Sequence, residues 1–300
     1  MDEANNMKSS AEPNRVSTLV RVASVQCNVV YGDPAANAAF AVETMQKLAT
    51  QGVHLAVFPE AFLTGYAVEN EQEARRIAIL VRGKEPDSVD EAHPSVLAIQ
   101  AACREFGMHA VVGYAGTDGQ VLYSGAILFE PNGRMRKYVK THLPALGFDK
   151  YVVRGTRLPV FETELGRIGL LICYDVRFPE AARVLGLERA DIIALPTNWP
   201  EGAEVSPNYM APARAAENRL FVVTCNRVGV ENGFRFIGKS AIHDITGIAI
   251  ASADAEPTVL VADVDVARAR QKRTIVIPGK YETDTFATRY PEIYGRVVEP

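Results

Sequence analysis

Apolar runs of two kinds alternate along this chain. Short runs in which apolar and polar positions trade places, or in which nearly every position is apolar, read as strands. Longer runs with apolar positions every three or four residues read as helices. Residues 19–26, 53–58, 109–114, 121–129, 134–139, 168–172, 192–195, 220–225, 236–242, 248–251 and 259–264 are of the first kind. Residues 34–51, 69–81, 94–106, 179–187 and 208–219 are of the second. The first of these helices lines up Ala38, Val42, Met45 and Leu48 behind the start signal Asp33-Pro34. Asp118-Gly119 and Asn132-Gly133 fall between strands as hairpin turns. Residues 83–92 are polar and read as an exposed loop. Strands alternating with helices predict an α/β sheet fold. There is also a faint internal echo. Val25-Gln26-Cys27-Asn28 resembles Val223-Thr224-Cys225-Asn226, and the strand ending Val57-Phe58-Pro59 resembles the one ending Ala194-Leu195-Pro196. Such an echo suits two related half-sheets packed face to face.

Composition narrows the partners. The 300 residues are 48% hydrophobic and 23% charged, an ordinary globular balance, and no linker rich in Gly, Pro or Ser divides them. A net charge of -4 argues against a nucleic-acid partner. No run approaches the roughly 18 apolar residues that would cross a membrane. The N-terminal stretch is polar and lacks the apolar core of a signal peptide. The reading is a disordered tail over 1–17, one domain over 18–280, a C-terminal tail over 281–300, and a cytoplasmic location. Cys27, Cys103, Cys173 and Cys225 lie far apart, with no CxxC and no HExxH, so the expectation is free thiols and no metal site.

Three segments carry candidate chemistry. In GRIGLLICYDVRFPEAARVL (166–185) a strand-like run ends at Cys173, ahead of a polar turn and a helix. A thiol at such an exit is exposed, and the helix N-terminus and nearby N–H groups favour its thiolate. A lone cysteine can equally be core packing. In VHLAVFPEAFLTGY (53–66) Pro59 stops a central strand and leaves Glu60 at its carboxyl end, where open α/β folds place their chemistry. In MRKYVKTHLP (135–144) Lys140 follows an alternating run that reads as a strand on a sheet rim. Glu60 could also be a solvated turn residue, and Lys140 one member of a solvated basic face.

Together, in this order, FPEAFLTGY, KTHLP and GLLICYDVRFPEAARVL resemble the nitrilase superfamily of carbon–nitrogen hydrolases, which work with a Glu–Lys–Cys triad. The resemblance continues through LPTNWP (195–200), ARAAEN (213–218) and NRVG (226–229), and covers the chain from about residue 21 to about residue 266. It implies a four-layer α-β-β-α sandwich and the triad Glu60, Lys140 and Cys173. It implies a cofactor-free reaction in which Cys173 attacks a small amide and Glu60 moves the protons. Lys140 and the backbone N–H of Tyr174 hold the oxyanion, and a thioester breaks down to an acid and ammonia. A C-terminal tail containing Arg289-Tyr290-Pro291-Glu292-Ile293-Tyr294 resembles tails that cross to a second subunit, implying a homodimer or larger homo-oligomer.

Departures from the family pattern leave finer points open. Many members carry a second glutamate after HLP, ahead of a Pro-Gly pair. Here Asp149 is the nearest carboxylate and Arg154 stands in place of the proline, so Asp149 is either a second acid or a turn residue. True nitrilases commonly have Trp-Glu after the cysteine, whereas Tyr174-Asp175 looks like the amidase branches. Carbamoyl-amino-acid hydrolases often carry two adjacent arginines, and here only Arg177 is present, in a context resembling the ω-amidase-like branch. Arg177 either binds a substrate carboxylate or pairs with Glu180 or Asp175. Asn198 and Trp199 follow a strand end and suit a pocket wall, and Tyr66 could line the same mouth. Cys225 reads as core and His142 as structural. Glu217 and Asn218 read as a polar network or a substrate contact. An N-carbamoyl-amide or nitrile hydrolase on the same triad, or a binding protein that retains the fold, are the competing functions.

Overall fold

The computed structural model describes residues 18–299, so the expected N-terminal tail lies outside the described residues. The first sheet begins with β1 (Leu19–Gln26), β2 (Leu55–Val57), β3 (Ile79–Arg82), β4 (Glu91–Ala92), β5 (His109–Thr117), β6 (Leu122–Phe129) and β7 (Met135–Val139). The second begins with β8 (Val160–Thr163), β9 (Gly166–Leu170), β10 (Ile192–Thr197) and β11 (Phe221–Asn226). A ribbon of β12 (Val228–Glu231) and β13 (Phe234–Ile237) follows. Next, β14 (Ala241–His243) and β15 (Ala249–Ser252) extend the second sheet, and β16 (Thr258–Asp265) returns to the first beside β1. Finally β17 (Arg273–Ile277) and β18 (Tyr281–Asp284) pair as a second ribbon, which spans residue 280. The helices are α1 (Pro34–Ala49), α2 (Glu71–Ile77), α3 (Pro94–Phe106), α4 (Pro179–Leu187), α5 (Ala211–Asn218) and α6 (Val266–Arg270).

Each sheet has a parallel centre with antiparallel edges. In the first, β1, β2 and β5 run parallel, and β6 and β7 fold back as an antiparallel extension. In the second, β9, β10 and β11 run parallel, with β8 on one side and β14 on the other antiparallel. Parallel neighbours need crossovers, which α1, α4 and α5 supply. Period-two alternation sorts the side chains between layers. Val20, Val22, Leu55, Val57 and Val111 face Ile168, Leu170, Ile192 and Val223 in one core between the sheets. Ala23, Val25, Ala56, Ala110 and Val112 point the other way, onto Met45 and Leu48 of α1 and Ile99 and Cys103 of α3. The result is the α-β-β-α sandwich. The two echoing segments face each other in its middle: the Ser24 hydroxyl donates to the Thr224 carbonyl at 2.8 Å, and the Cys225 thiol to the Val25 carbonyl at 3.2 Å.

Four predicted elements differ in the structure, and β8, β12, β17 and β18 have no counterpart in the sequence reading. The predicted helix over 69–81 divides into α2 and β3, because Ile77, Ile79 and Val81 are buried at a two-residue spacing. The predicted strand over 236–242 breaks at Gly238, whose φ of 63° belongs to the left-handed region. The strand before the cysteine ends at Leu170 rather than residue 172, and the predicted loop over 83–92 contributes β4 to the sheet edge. Among the described residues no helix is long and apolar enough to cross a membrane. All four cysteines are free and buried.

Candidate active site

Two parallel strands, one from each sheet, deliver the candidate carboxylate and thiol from their carboxyl ends. After β2, Pro59 cannot continue the ladder. Ala61 then turns the chain with a φ of 47°, and the Glu60 amide reaches across to the Thr197 carbonyl of the second sheet at 3.4 Å. Gly113 makes room for this turn. A Cβ there would stand 2.6 Å from the Cα of Glu60, so β5 needs a glycine where Glu60 crosses it. Lys140 comes off the rim strand β7, its amide donating to the Ser124 carbonyl at 2.9 Å. Cys173 opens a tight helical turn (Cys173–Arg177) after β9, with a φ of 45° that a residue bearing a Cβ rarely adopts.

These chain ends meet at one buried point. The Lys140 ammonium donates to Glu60 Oε1 at 2.6 Å and to Asp149 Oδ2 at 2.5 Å. The Tyr66 hydroxyl donates to the same Asp149 oxygen at 2.9 Å, and the Ser124 hydroxyl to the other. Cys173 lies beside the Glu60 carboxylate and within reach of the Asn198 backbone N–H. Lys140 is 0% exposed, Glu60 2% and Cys173 9%, so the cysteine is the least enclosed of the three residues.

Burial dominates the charge states. It pushes the Glu60 carboxyl up to about 7, with Lys140 opposing and Asp149 adding to the rise. Burial acts to lower the pKa of Lys140, but Asp149 and then Glu60 outweigh it, and the ammonium titrates well above the ordinary lysine value. Burial and then Glu60 hold the Cys173 thiol well above its ordinary value, against the pull of Lys140. The pull of the helix start toward a thiolate is outweighed here by burial and by Glu60. The resting pair is a thiol facing a carboxylate, so the proton must move as the sulfur attacks.

The other candidate residues fall in different places. Asp149 is not a solvated turn residue: it is buried on a single turn (Gly147–Tyr151), with both oxygens engaged. Tyr66, expected at a mouth, is instead buried beneath the Lys140 ammonium, its ring centroid 5.9 Å away and its hydroxyl spent on Asp149 and the Leu146 carbonyl. Asn198 and Trp199 are buried just beyond β10, and neither polar atom of the Asn198 side chain nor the indole nitrogen of Trp199 has a protein partner. Arg177 is exposed with its guanidinium over the Tyr174 ring at 5.8 Å, and it pairs with neither Glu180 nor Asp175. Glu217 and Asn218 form a polar network with Arg214.

Sequence reasoning missed the residues that hold these loops. Asn226 accepts from the Thr197 hydroxyl at 2.9 Å and the Trp199 amide at 2.7 Å, and so shapes the turn carrying Asn198. The fully buried Arg227 pairs with Glu231 at 2.9 Å, and Glu231 in turn caps the amides of Tyr66 and Ala67 at 2.8 and 2.7 Å. Ser124 orients Asp149. One signal was available for Ser124: a hydroxyl inside a wholly buried strand must find a partner.

A buried thiol facing a carboxylate of raised pKa, with a fixed ammonium between two acids, is the equipment of a cysteine hydrolase. The chain matches the carbon-nitrogen hydrolase family over residues 21–274 and belongs to it. It is 35% identical over 281 residues to a nitrilase of Pyrococcus abyssi, an overlap of 93% of this chain and 100% of that one. It is 27% identical over 259 residues to the 2-oxoglutaramate amidase of Bacillus subtilis, covering 84% of this chain and 93% of the relative. Among solved structures, it is similar to a glutamine variant of the amidase from Nesterenkonia sp. AN1 that carries the acetamide moiety of fluoroacetamide on its active-site cysteine. There the TM-score is 0.73 at 26% identity, covering 87% of this chain and 96% of that one.

Proposed function

We propose that this enzyme hydrolyses small linear amides through a thioester on Cys173, without a cofactor. The observation that carries the proposal is the single buried point at which Glu60, Lys140 and Cys173 converge. Glu60 takes the thiol proton as the Cys173 sulfur bonds to the amide carbon. The oxyanion forms against the Lys140 ammonium and the Tyr174 backbone N–H. Glu60 then protonates the nitrogen, the carbon–nitrogen bond breaks, and ammonia leaves. A water deprotonated by Glu60 attacks the thioester, releasing the acid and restoring the thiol. Asp149 acts as the second acid, holding Lys140 in place, since both its oxygens are already engaged.

Four of the buried polar atoms without protein partners, on Glu60, Asn198 and Trp199, support this reading of the substrate. Glu60 Oε2 and Asn198 Oδ1 are acceptors, and Asn198 Nδ2 and Trp199 Nε1 are donors. Leaving such groups unpaired is costly. A primary amide supplies N–H groups for the acceptors, and a second oxygen on the substrate serves the donors. Arg177, unpaired and near the nucleophile turn, suits a substrate carboxylate. Ammonia release should therefore be fastest from short amides bearing a carboxylate. Arg177→Lys should raise their KM about twofold to fivefold, the size of an exposed ion pair, and leave neutral amides unchanged. Equal slowing of both classes would remove the carboxylate preference. Carbon dioxide released with the ammonia would mark a carbamoyl hydrolase instead, and ammonia from nitriles alone a nitrilase.

We also propose that a second copy of the chain covers the C-terminal ribbon. Ile275, Val276, Ile277 and Tyr281 are all exposed there, on a two-stranded ribbon that is marginal by itself. Light scattering should give at least twice the 32.7 kDa chain mass, and a monomer at micromolar concentration would end the proposal.

A further inference from the structure

Asp175, two residues past the nucleophile, is fully buried and takes no part in the proposed proton transfers. Its carboxylate nevertheless gathers donors from both sides of the site. Oδ2 accepts from the Ile172 amide at 2.8 Å and the Tyr138 hydroxyl at 2.7 Å. Oδ1 accepts from the Thr141 hydroxyl at 3.0 Å, the His142 amide at 3.0 Å and the His142 ring Nδ1 at 2.8 Å. Ile172 immediately precedes Cys173. Tyr138, Thr141 and His142 flank Lys140. One side chain thus fastens the turn of the nucleophile to the strand end of the cation.

The turn itself needs such a fastening. Cys173 is held at a φ of 45°, a conformation its Cβ disfavours. The Asp175 amide donates to the Ile172 carbonyl at 2.9 Å while the Asp175 carboxylate accepts from the Ile172 amide, closing a ring of hydrogen bonds around Cys173. The His142 ring also stacks on Phe178 at 3.8 Å, which adds an apolar seal on the outer side. A carboxylate is the group this place requires. It accepts at both oxygens, whereas an amide of the same shape accepts at only one and turns its NH2 against the remaining donors.

We infer that Asp175 is a positioning residue that sets where the Cys173 sulfur stands relative to Lys140 and Glu60. It acts through the backbone of the turn and through the end of β7, touching none of the reacting atoms. Only the turnover readout of its test rests on the amidase reading. The rate at which iodoacetamide alkylates Cys173, followed by mass spectrometry of the labelled peptide, reports the thiol whether or not a substrate is known.

Asp175→Asn should lower kcat about 10- to 100-fold per folded molecule, with KM changed less than twofold. It should also slow alkylation of Cys173 about tenfold, because the thiol loses its fixed place beside Lys140. Asp175→Glu should recover part of both rates, since it restores two acceptors. If Asp175→Asn does not fold, Tyr138→Phe and Thr141→Ala each remove one donor and should show the same two losses on a smaller scale. A merely structural residue would lower the melting temperature and leave both rates of the folded protein intact. Unchanged alkylation and turnover in folded Asp175→Asn, or in both single-donor variants, would overturn the inference.

Discussion

Replacing Cys173 with alanine should bring turnover to background while the protein still folds. The sulfur is the nucleophile of the proposed thioester route, and losing a nucleophile of this kind costs on the order of 10⁴–10⁶ in kcat. The fold should tolerate the change. Alanine removes a single sulfur at the edge of the core and demands no new backbone conformation. Stability should stay within about 1 kcal/mol of the parent. Ammonia release and a thermal melt on the same sample read both halves. Turnover at the parent rate would end the thiol mechanism, whereas an unfolded variant would show that Cys173 serves packing.

The second large effect concerns Glu60 and pH. Its carboxyl is pushed up to about 7, first by burial and then by Asp149, with Lys140 opposing. The free base must be ionised to take the thiol proton, so kcat/KM should rise about tenfold per pH unit below 7 and level off above it. Glu60→Gln should lower kcat by about 10²–10⁴ and abolish that limb. Asp149→Asn removes a charge that raises the Glu60 pKa, so its limb should move to lower pH, along with a slower reaction from the loosened Lys140.

The sign for stability runs the other way from an ordinary paired carboxylate. Between about 4.5 and 7 the folded Glu60 keeps its proton while the unfolded one has lost it. Stability from this group is therefore present below 4.5 and is lost as pH rises towards 7. Glu60→Gln should flatten that part of the melting profile. An acid limb unchanged in Glu60→Gln would assign the base to another residue.

Much of this was legible in the chain itself. The alternating runs identified most strands of both sheets but not β3, β4 or β8, because a side chain's face is decided by its parity along a strand. Pro59 and the polar turn after Cys173 marked the ends of strands to within two or three residues, which placed Glu60 and Cys173 near carboxyl ends. The one helix misread, over 69–81, lay where Ile77, Ile79 and Val81 carry a strand period inside a helix-like composition.

What the chain did not disclose is of a different kind. Ser124 meets Asp149 across 25 residues, Asp175 meets Tyr138 across 37, and Glu231 meets Tyr66 across 165. Pairings of that length leave no local period, so residues that read as ordinary turn or surface positions became buried partners. The charge states were equally hidden. Local sequence pointed to a helix start that favours the thiolate, whereas in the assembled site burial and Glu60 outweigh that pull. Pattern and punctuation, which act over a few residues, marked most of the elements, whereas the triad followed from the resemblance of three dispersed segments to the nitrilase superfamily. Desolvation and long-range pairing, which exist only once both sheets have closed, decided that the thiol's pKa lies above its ordinary value, that the Glu60 carboxyl is pushed up to about 7, and that the Tyr66 hydroxyl is held by Asp149 beside Lys140.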